Sequence, residues 1–441
     1  MRLFASLLMF FLFQGTASKP RPVDYKETKL PNGLTVITHE DRSTPVINLQ
    51  IWFHIGSKDE KTGRTGFAHL FEHLMFKGSA NVKPEEHDKI ISNVGGVTNA
   101  YTNDDVTVYW ETFPANYLEK VLWLEADRLT SLNVSDANFA SEREVVKEER
   151  LTRIENPPYG DLIEVLYKSA FDVHPYKHIT IGSMDDLNAA TIADVREFFE
   201  TYYVPNNATM VISGDFNTDQ ALGLVRKYFG DIPRGKREIT RTDVKEPPHT
   251  KEKRVTHSKA VPLPAYVAGY YVPEDGHADS YALTIASQIL SSGRSSRIYQ
   301  SLVYDKQLAI QAEASGNFTE DPNLFFAIVI MNRGKSLDEA EKALNAELMR
   351  LTTEGVGDKE LRKAKNAIKS QYAFGRQSVQ QKADALGHAA VIHGDTASVN
   401  NEYDLFMKVT KEDIMRVAKQ YFRPENRTVL IVTPLQRGNE Q

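Results

Sequence analysis

The sequence predicts an α+β protein made of two homologous lobes, and three observations lead there. At 441 residues the chain exceeds what one hydrophobic core organises. The segment Thr191 to Ser213 (TIADVREFFETYYVPNNATMVIS) aligns without a gap on Thr410 to Val432 (TKEDIMRVAKQYFRPENRTVLIV), at a constant offset of 219. Thr191 matches Thr410, Asp194 matches Asp413, Tyr202 matches Tyr421, Pro205 matches Pro424, Asn207 matches Asn426 and Thr209 matches Thr428. Register kept over a helix, a proline turn and a strand marks two copies of one domain. Thirdly, strand-like runs of period two interleave with amphipathic helical segments.

Composition narrows the class. A hydrophobic fraction of 41% with 25% charged residues is that of a globular protein, and a net charge of -6 gives no reason to expect nucleic acid as a partner. No cysteine occurs, so disulfides and thiolate ligands are excluded and any metal must be held by histidine and carboxylate. Residues 1–18 read as a secretory signal peptide: Arg2, an apolar run from Leu3 to Phe13, then Gly15, Thr16, Ala17 and Ser18. That leader implies export across the inner membrane, to the periplasm. The alternative is an uncleaved anchor; a mitochondrial presequence is disfavoured by the single arginine. No later apolar run is long enough to span a bilayer, so no stable membrane span is expected.

The first lobe is expected over residues 19–232. Lys29 to His39 has a Pro-Asn-Gly turn feeding a β-rich run, and Pro45 to Ile55 alternates as a half-buried strand. His54 on this strand lacks a partner at ligand spacing. Gly66 to Ser79 (GFAHLFEHLMFKGS) follows. On a helix His69 and His73, four apart, share one face with Glu72 beside them, so two imidazoles and a carboxylate converge. That pattern suits a catalytic zinc site with Glu72 as general base, and the order His-x-x-Glu-His is a known hydrolase signature. The plainer alternative is a core helix whose histidines are hydrogen-bonded.

Beyond the motif, Pro84 to Ile91 reads as a short helix and Val97 to Phe113 as a hairpin around Asn103-Asp104-Asp105. If its first strand is a sheet edge, its backbone could take a peptide as an added strand. Leu118 to Leu129 is an amphipathic helix, and Asp136 to Ile154 a long charged one ended by Asn156-Pro157-Pro158. Glu142 and Glu149, seven apart, share a face with Val145 and Val146 close by. A carboxylate from this helix could supply a third ligand; spacing leaves Glu142, Glu148 and Glu149 open. His174 and His178 read as residues of a structural proline-bearing loop.

A polar stretch, residues 233–259 with Pro247-Pro248, reads as the linker, and residues 260–441 as the second lobe. There the helix after the first strand, Ser280 to Leu290 (SYALTIASQIL), has no histidine, so one lobe alone carries the motif. Gly293 to Arg297 reads as a capped helix start rather than an anion loop, having no Walker spacing.

HLFEH after a segment IGSKDE, then NAYT, then EREVVKEE some seventy-five residues beyond the motif, closely resembles the inverted-motif zinc peptidases that include pitrilysin, insulysin and mitochondrial processing peptidase. The resemblance spans the mature chain. It implies lobes that are each a mostly antiparallel sheet with helices packed on one face, together forming half of a clamshell chamber. It implies one Zn2+ per chain on His69, His73 and Glu149, with Glu72 as base and Glu142 orienting the site. Asn99, Ala100, Tyr101 and Thr102 match the strand that receives the substrate backbone. One departure is informative. Active members commonly carry an arginine and a tyrosine in a second-lobe segment like LREELGLAYS, whereas here Leu302 to Gln311 (LVYDKQLAIQ) has Val303 and Ile310 at those places. Neither side chain donates a hydrogen bond. The resemblance therefore implies the zinc-bearing half of a pair, whose homologous partner lacks the motif but carries that arginine and tyrosine, with a homodimer as the alternative. Other relatives of this kind serve as non-catalytic subunits, the competing reading.

Overall fold

A computed structural model describes residues 20–435, so the expected signal peptide lies outside the described residues. In the first lobe, β1 (Lys26–Lys29), β2 (Thr35–Glu40), β3 (Val46–Phe53), β4 (Val97–Thr102), β5 (Thr107–Pro114) and β6 (Ala208–Gly214) form one sheet. Its order is β1-β2-β6-β3-β5-β4, antiparallel throughout except between β2 and β6. In the second lobe, β7 (Lys253–Lys259), β8 (Ala265–Val272), β9 (Ala309–Gly316), β10 (Asn323–Met331) and β11 (Arg427–Pro434) run in the order β7-β11-β8-β10-β9, with only β7 and β11 parallel. Without β1 the two orders coincide strand for strand. The expected hairpin is β4–β5, its turn closed by Asn103 Oδ1, which accepts from the backbone N–H of Asp105 and Val106 at 2.8 Å each.

Helices of the first half are α1 (Phe67–Leu74), α2 (Glu86–Asn93), α3 (Leu118–Ser131), α4 (Asp136–Arg150), α5 (Leu162–Ala170), α6 (Met184–Ala189), α7 (Ile192–Tyr202) and α8 (Thr218–Phe229). Those of the second are α9 (Ala278–Ser291), α10 (Leu337–Thr353), α11 (Asp358–Phe374), α12 (Val379–Val391), α13 (Glu402–Lys408) and α14 (Lys411–Tyr421). The repeated segment is α7 then β6 in one lobe and α14 then β11 in the other. Its matched residues build the same joints. Thr191 with Asp194 and Thr410 with Asp413 form capping boxes, while the Nδ2 groups of Asn207 and Asn426 donate to the carbonyls of Tyr202 and Tyr421, each at 2.9 Å.

Within each lobe, its own helices cover one face of the sheet. The other face takes a helix from the opposite half of the chain. Leu386 and Ala389 of α12 bury against Ile37, Trp52 and Val211 of the first sheet, and Leu162 and Leu166 of α5 against Val267, Leu324 and Leu430 of the second. The lobes thus share two cores, each closed by an exchanged helix.

Two sequence expectations are corrected. The linker does not run to residue 259, because Lys253–Lys259 is β7, paired in parallel with β11. Its charged, alternating KRVTHSK is the pattern of an edge strand with one wet face, which composition alone does not tell from a linker. The second lobe's motif-equivalent helix, α9, accordingly follows two strands rather than one. His54 sits just past the end of β3, where its Nε2 meets Glu320 Oε2 at 2.8 Å across the lobes.

Candidate metal centre

The motif helix is held at its start by a buried carboxylate. Gly66, at φ 90, precedes α1, and Glu60 accepts from the backbone N–H of Gly66 at 2.9 Å and of Ala68 at 2.8 Å. His178 Nε2 lies 3.2 Å from the same carboxylate, so the proline-bearing loop has the structural role expected of it. His174 likewise stays structural, its Nδ1 accepting from the Tyr176 N–H at 3.2 Å. Phe67, Leu70, Phe71 and Leu74 bury one face of α1, and Phe71 stacks on Phe198 and Phe199. The opposite face then presents His69, Glu72 and His73 together.

The helix α4 brings the carboxylates. Ser135 caps its N-terminus, and Phe139, Glu142, Val146 and Arg150 form its buried stripe. Of the two valines expected close by, Val146 is buried and Val145 is 45% exposed. After Arg150 the chain widens into a π-helical turn, Leu151–Glu155, which places Arg153 Nη1 2.6 Å from Glu149. Glu149 Oε2 lies 3.7 Å from His69 Nε2 and 3.3 Å from His73 Nε2. Glu142 Oε2 lies 3.5 Å from His73 Nδ1, and its Oε1 pairs with Lys77 at 3.0 Å. Glu148 is exposed and takes no part.

Three donor atoms, His69 Nε2, His73 Nε2 and a Glu149 oxygen, therefore lie within 4.8 Å of one another. Ligand bonds of about 2.0–2.2 Å in a tetrahedron set ligand-to-ligand edges of about 3.3–3.6 Å; the His73–Glu149 distance of 3.3 Å matches them and the His69–Glu149 distance of 3.7 Å lies just above. The electrostatics also fit a dication. Burial, then the charge of His73, pushes His69 down to about 4, leaving a neutral imidazole with a free lone pair. Burial opposes the charged form of His73 too, but Glu142, Glu149 and Glu72 outweigh it and raise its pKa. Three carboxylates around two imidazoles make a pocket that favours positive charge.

Glu72 stands beside this cluster. Its Oε2 accepts from Thr102 Oγ1 at 2.7 Å, and burial raises its pKa above the usual carboxylate range. Glu72, His73, Lys77, Thr98, Asn99 and Glu142 line a cavity of about 330 Å³ beside the edge strand β4. Thr102 thus turns toward the centre, whereas Tyr101 packs edge-on against Trp52 on the opposite face of the sheet, centroids 6.1 Å apart. Ala100 N–H donates to Asn99 Oδ1 at 2.9 Å. Lys77 and Arg153, which hold two of the carboxylates, escaped the sequence reading, since lysine and arginine on charged helices ordinarily face water. In the second lobe Ile310 lies 56% exposed on edge strand β9, the counterpart of β4, and Val303 is half-buried.

Two duplicated lobes with an inverted His-x-x-Glu-His helix facing an acidic helix define a two-lobed protein of the inverted-motif peptidase type. Comparison with known proteins makes this specific. Residues 35–183 match the family model described as Insulinase (Peptidase family M16), and residues 189–368 match the one described as Peptidase M16 inactive domain. The chain is 33% identical over 416 residues to a protein named zinc protease PqqE from Helicobacter pylori, covering 93% of each. It is 32% identical to a solved protease from Helicobacter pylori, with a TM-score of 0.90 over 94% of this chain and 100% of that one. A solved peptidase M16 inactive domain from Pseudomonas fluorescens shares the fold at 16% identity, with a TM-score of 0.84 over 94% and 98%. The chain belongs to peptidase family M16.

Proposed function

We propose that this chain is a zinc-dependent endopeptidase that cleaves peptides or unfolded segments, with His69, His73 and Glu149 as ligands and Glu72 as general base. The observation that carries the reading is the convergence of those three donor atoms beside a half-buried, Thr102-oriented glutamate. Zinc, when bound, supplies a Lewis acid that polarises the scissile carbonyl and lowers the pKa of the attacking water. Glu72 takes that water's proton and passes it to the leaving amine. Thr102 keeps the carboxylate aimed, and Glu142 steadies His73 through its Nδ1 side. Strand β4, from Asn99 to Thr102, offers its free edge to an extended peptide, with substrate side chains falling alternately toward the cavity.

Changing Glu72→Gln tests the assignment. Zinc content should match wild type while kcat falls by about 10²–10⁴-fold. Wild-type turnover in the purified variant would sink it. A protein that is metal-free and inert, with or without a partner, would instead favour the non-catalytic assembly reading.

The chain works as the zinc-bearing subunit of a heterodimer, because Val303 and Ile310 leave the second lobe without polar substrate contacts where the resemblance places them. Turnover should rise on mixing with a homologue that carries an arginine and a tyrosine there. Full activity of this chain alone as a homodimer would remove the heterodimer. The leader directs it to the periplasm, checked by the N-terminus of the protein from a periplasmic fraction. Among the described residues, no helix is long and apolar enough to cross a membrane.

A further inference from the structure

Besides the centre on α1, three other groups of histidine and acidic side chains among the described residues bring three ligand atoms within 4.8 Å of one another. Two of them are otherwise engaged. In the group of His87, Glu111 and Glu125, Arg128 already supplies the cation, its Nη2 lying 2.7 Å from Glu125 and 3.3 Å from Glu111. In the group of Asp172, Glu246 and His249, the Glu246 carboxylate accepts from the backbone N–H of Asp172, Val173 and His174. The third, Asp275 with His388 and His393, has no such occupant.

The turn between β8 and α9 carries Asp275, whose Oδ1 accepts from the Gly276 N–H at 2.8 Å. Its backbone N–H is tied to the Thr319 carbonyl at 2.8 Å. The remaining oxygen, Oδ2, faces two imidazoles from the end of α12: His388 Nε2 at 3.2 Å and His393 Nε2 at 3.4 Å. The His393 side chain is 9% exposed and its buried Nε2 has no hydrogen-bond partner. Its Nδ1 is 2.9 Å from Ser398 Oγ, which fixes the ring with Nε2 turned to the aspartate. The two rings lie 5.0 Å apart at 81°, against 4.9 Å and 84° for His69 and His73. The second half of the chain, which lacks the motif, thus gathers two histidines and one carboxylate of its own, with the rings at a closely similar distance and angle.

We propose that Asp275, His388 and His393 form a second divalent-cation site, of the two-histidine, one-carboxylate class that takes Zn2+ or Co2+. The site is structural. It joins the β8–α9 turn to the end of α12, the helix that covers the first lobe's sheet, and so fastens the second lobe to the exchanged helix. It borders a cavity of about 390 Å³ that also receives Trp52 and Tyr101 of the first lobe. The half-exposed side of His388 leaves room for solvent to complete the coordination.

The test counts metal in the full chain after removal with a chelator, reloading with Zn2+ alone and desalting. Wild type should hold two ions, His69→Ala/His73→Ala one, and the same protein with Asp275→Asn added none. Loaded with Co2+, the His69→Ala/His73→Ala protein should show the visible absorption of a nitrogen- and oxygen-ligated site. Ser398→Ala in that background should weaken Co2+ binding by about 10–100-fold. This spectrum reads the site without any change to Asp275, should that variant fold poorly. One ion in wild type, with none and no cobalt spectrum in His69→Ala/His73→Ala, would show that the cluster is an ion-paired aspartate and two histidines only. Neither result depends on whether the chain cleaves peptides.

Discussion

Glu72 owes its aim to one neighbour, because among the described residues Thr102 Oγ1 is the hydrogen-bond donor to its carboxylate. A hydrogen bond to a charged group contributes about 1.5–3 kcal/mol, so Thr102→Val should lower kcat by at least about 10-fold with zinc content unchanged, and Thr102→Ser should restore it. Equal loss in the serine variant would assign the effect to β4 packing instead. Glu142 contacts His73 Nδ1 at 3.5 Å, so in the proposed site Glu142→Ala should weaken zinc binding by about 10–100-fold in a competition titration. At this scale the sequence was legible wherever a local period governs: His69, Glu72 and His73 follow from helical spacing alone. The proposed third ligand does not. Glu142, Glu148 and Glu149 are equivalent on paper, and which one faces the histidines depends on how Phe139 and Val146 seat α4 and on the π-helical turn that follows, both settled by contacts distant in sequence.

For the elements, the hairpin and the capped repeat carry their own turn and cap residues and each was readable from them, while the motif helix, which Glu60 holds at its start, was readable from its spacing alone. Strand β7 was not, since an edge strand with charged alternation has the composition of a linker. The edge at β4 makes a prediction of its own. Ala100 N–H donates to Asn99 Oδ1 rather than into the ladder with β5, so Ala100→Pro removes an outward donor without breaking a sheet bond. At about 0.5–1.5 kcal/mol for one such bond, KM for a peptide substrate should rise about 2–10-fold with kcat nearly unchanged. An unchanged KM would remove β4 as the substrate strand. Helix α12 is set just as closely. A Cβ at Gly387 would meet the Trp52 ring at 2.2–2.7 Å, so the helix backbone lies directly on the indole. Gly387→Ala gains up to about 1 kcal/mol of helix propensity but overpacks a filled site at about 1–3 kcal/mol, and Tm should fall.

Across the whole molecule, the duplication was legible because its matched residues cap the same helix and tie the same turn in both halves. The exchange of α5 and α12 was not, because an amphipathic helix looks the same whichever sheet it covers. That exchange packs each lobe's sheet against a helix from the other half, and an ionic joint adds to the contact between lobes. Lys58, 4% exposed, pairs with Asp105 of its own lobe at 2.9 Å and with Glu320 and Asp321 of the other at 2.7 and 3.0 Å. His54 meets Glu320, while His174 and Lys245 face Asp321. Burial opposes the ionised carboxylates, but His54 and Lys58 outweigh it at Glu320, and His174 and Lys58 at Asp321, so both pKa values fall below their usual range. Groups depressed in the folded state contribute stability that is fully present above their unfolded values, about 4, and is lost as the pH falls through the folded ones. Thermal stability should therefore drop steeply below about pH 4, beyond what surface carboxylates cause. Lys58→Met leaves Asp105 buried without its cation and should cost about 3–5 kcal/mol at neutral pH. Below pH 4 much of that penalty should vanish, because the carboxylates are then closer to neutral. A Lys58→Met protein whose Tm deficit is the same at pH 7 and pH 3.5 would show that the joint does not link the lobes to pH.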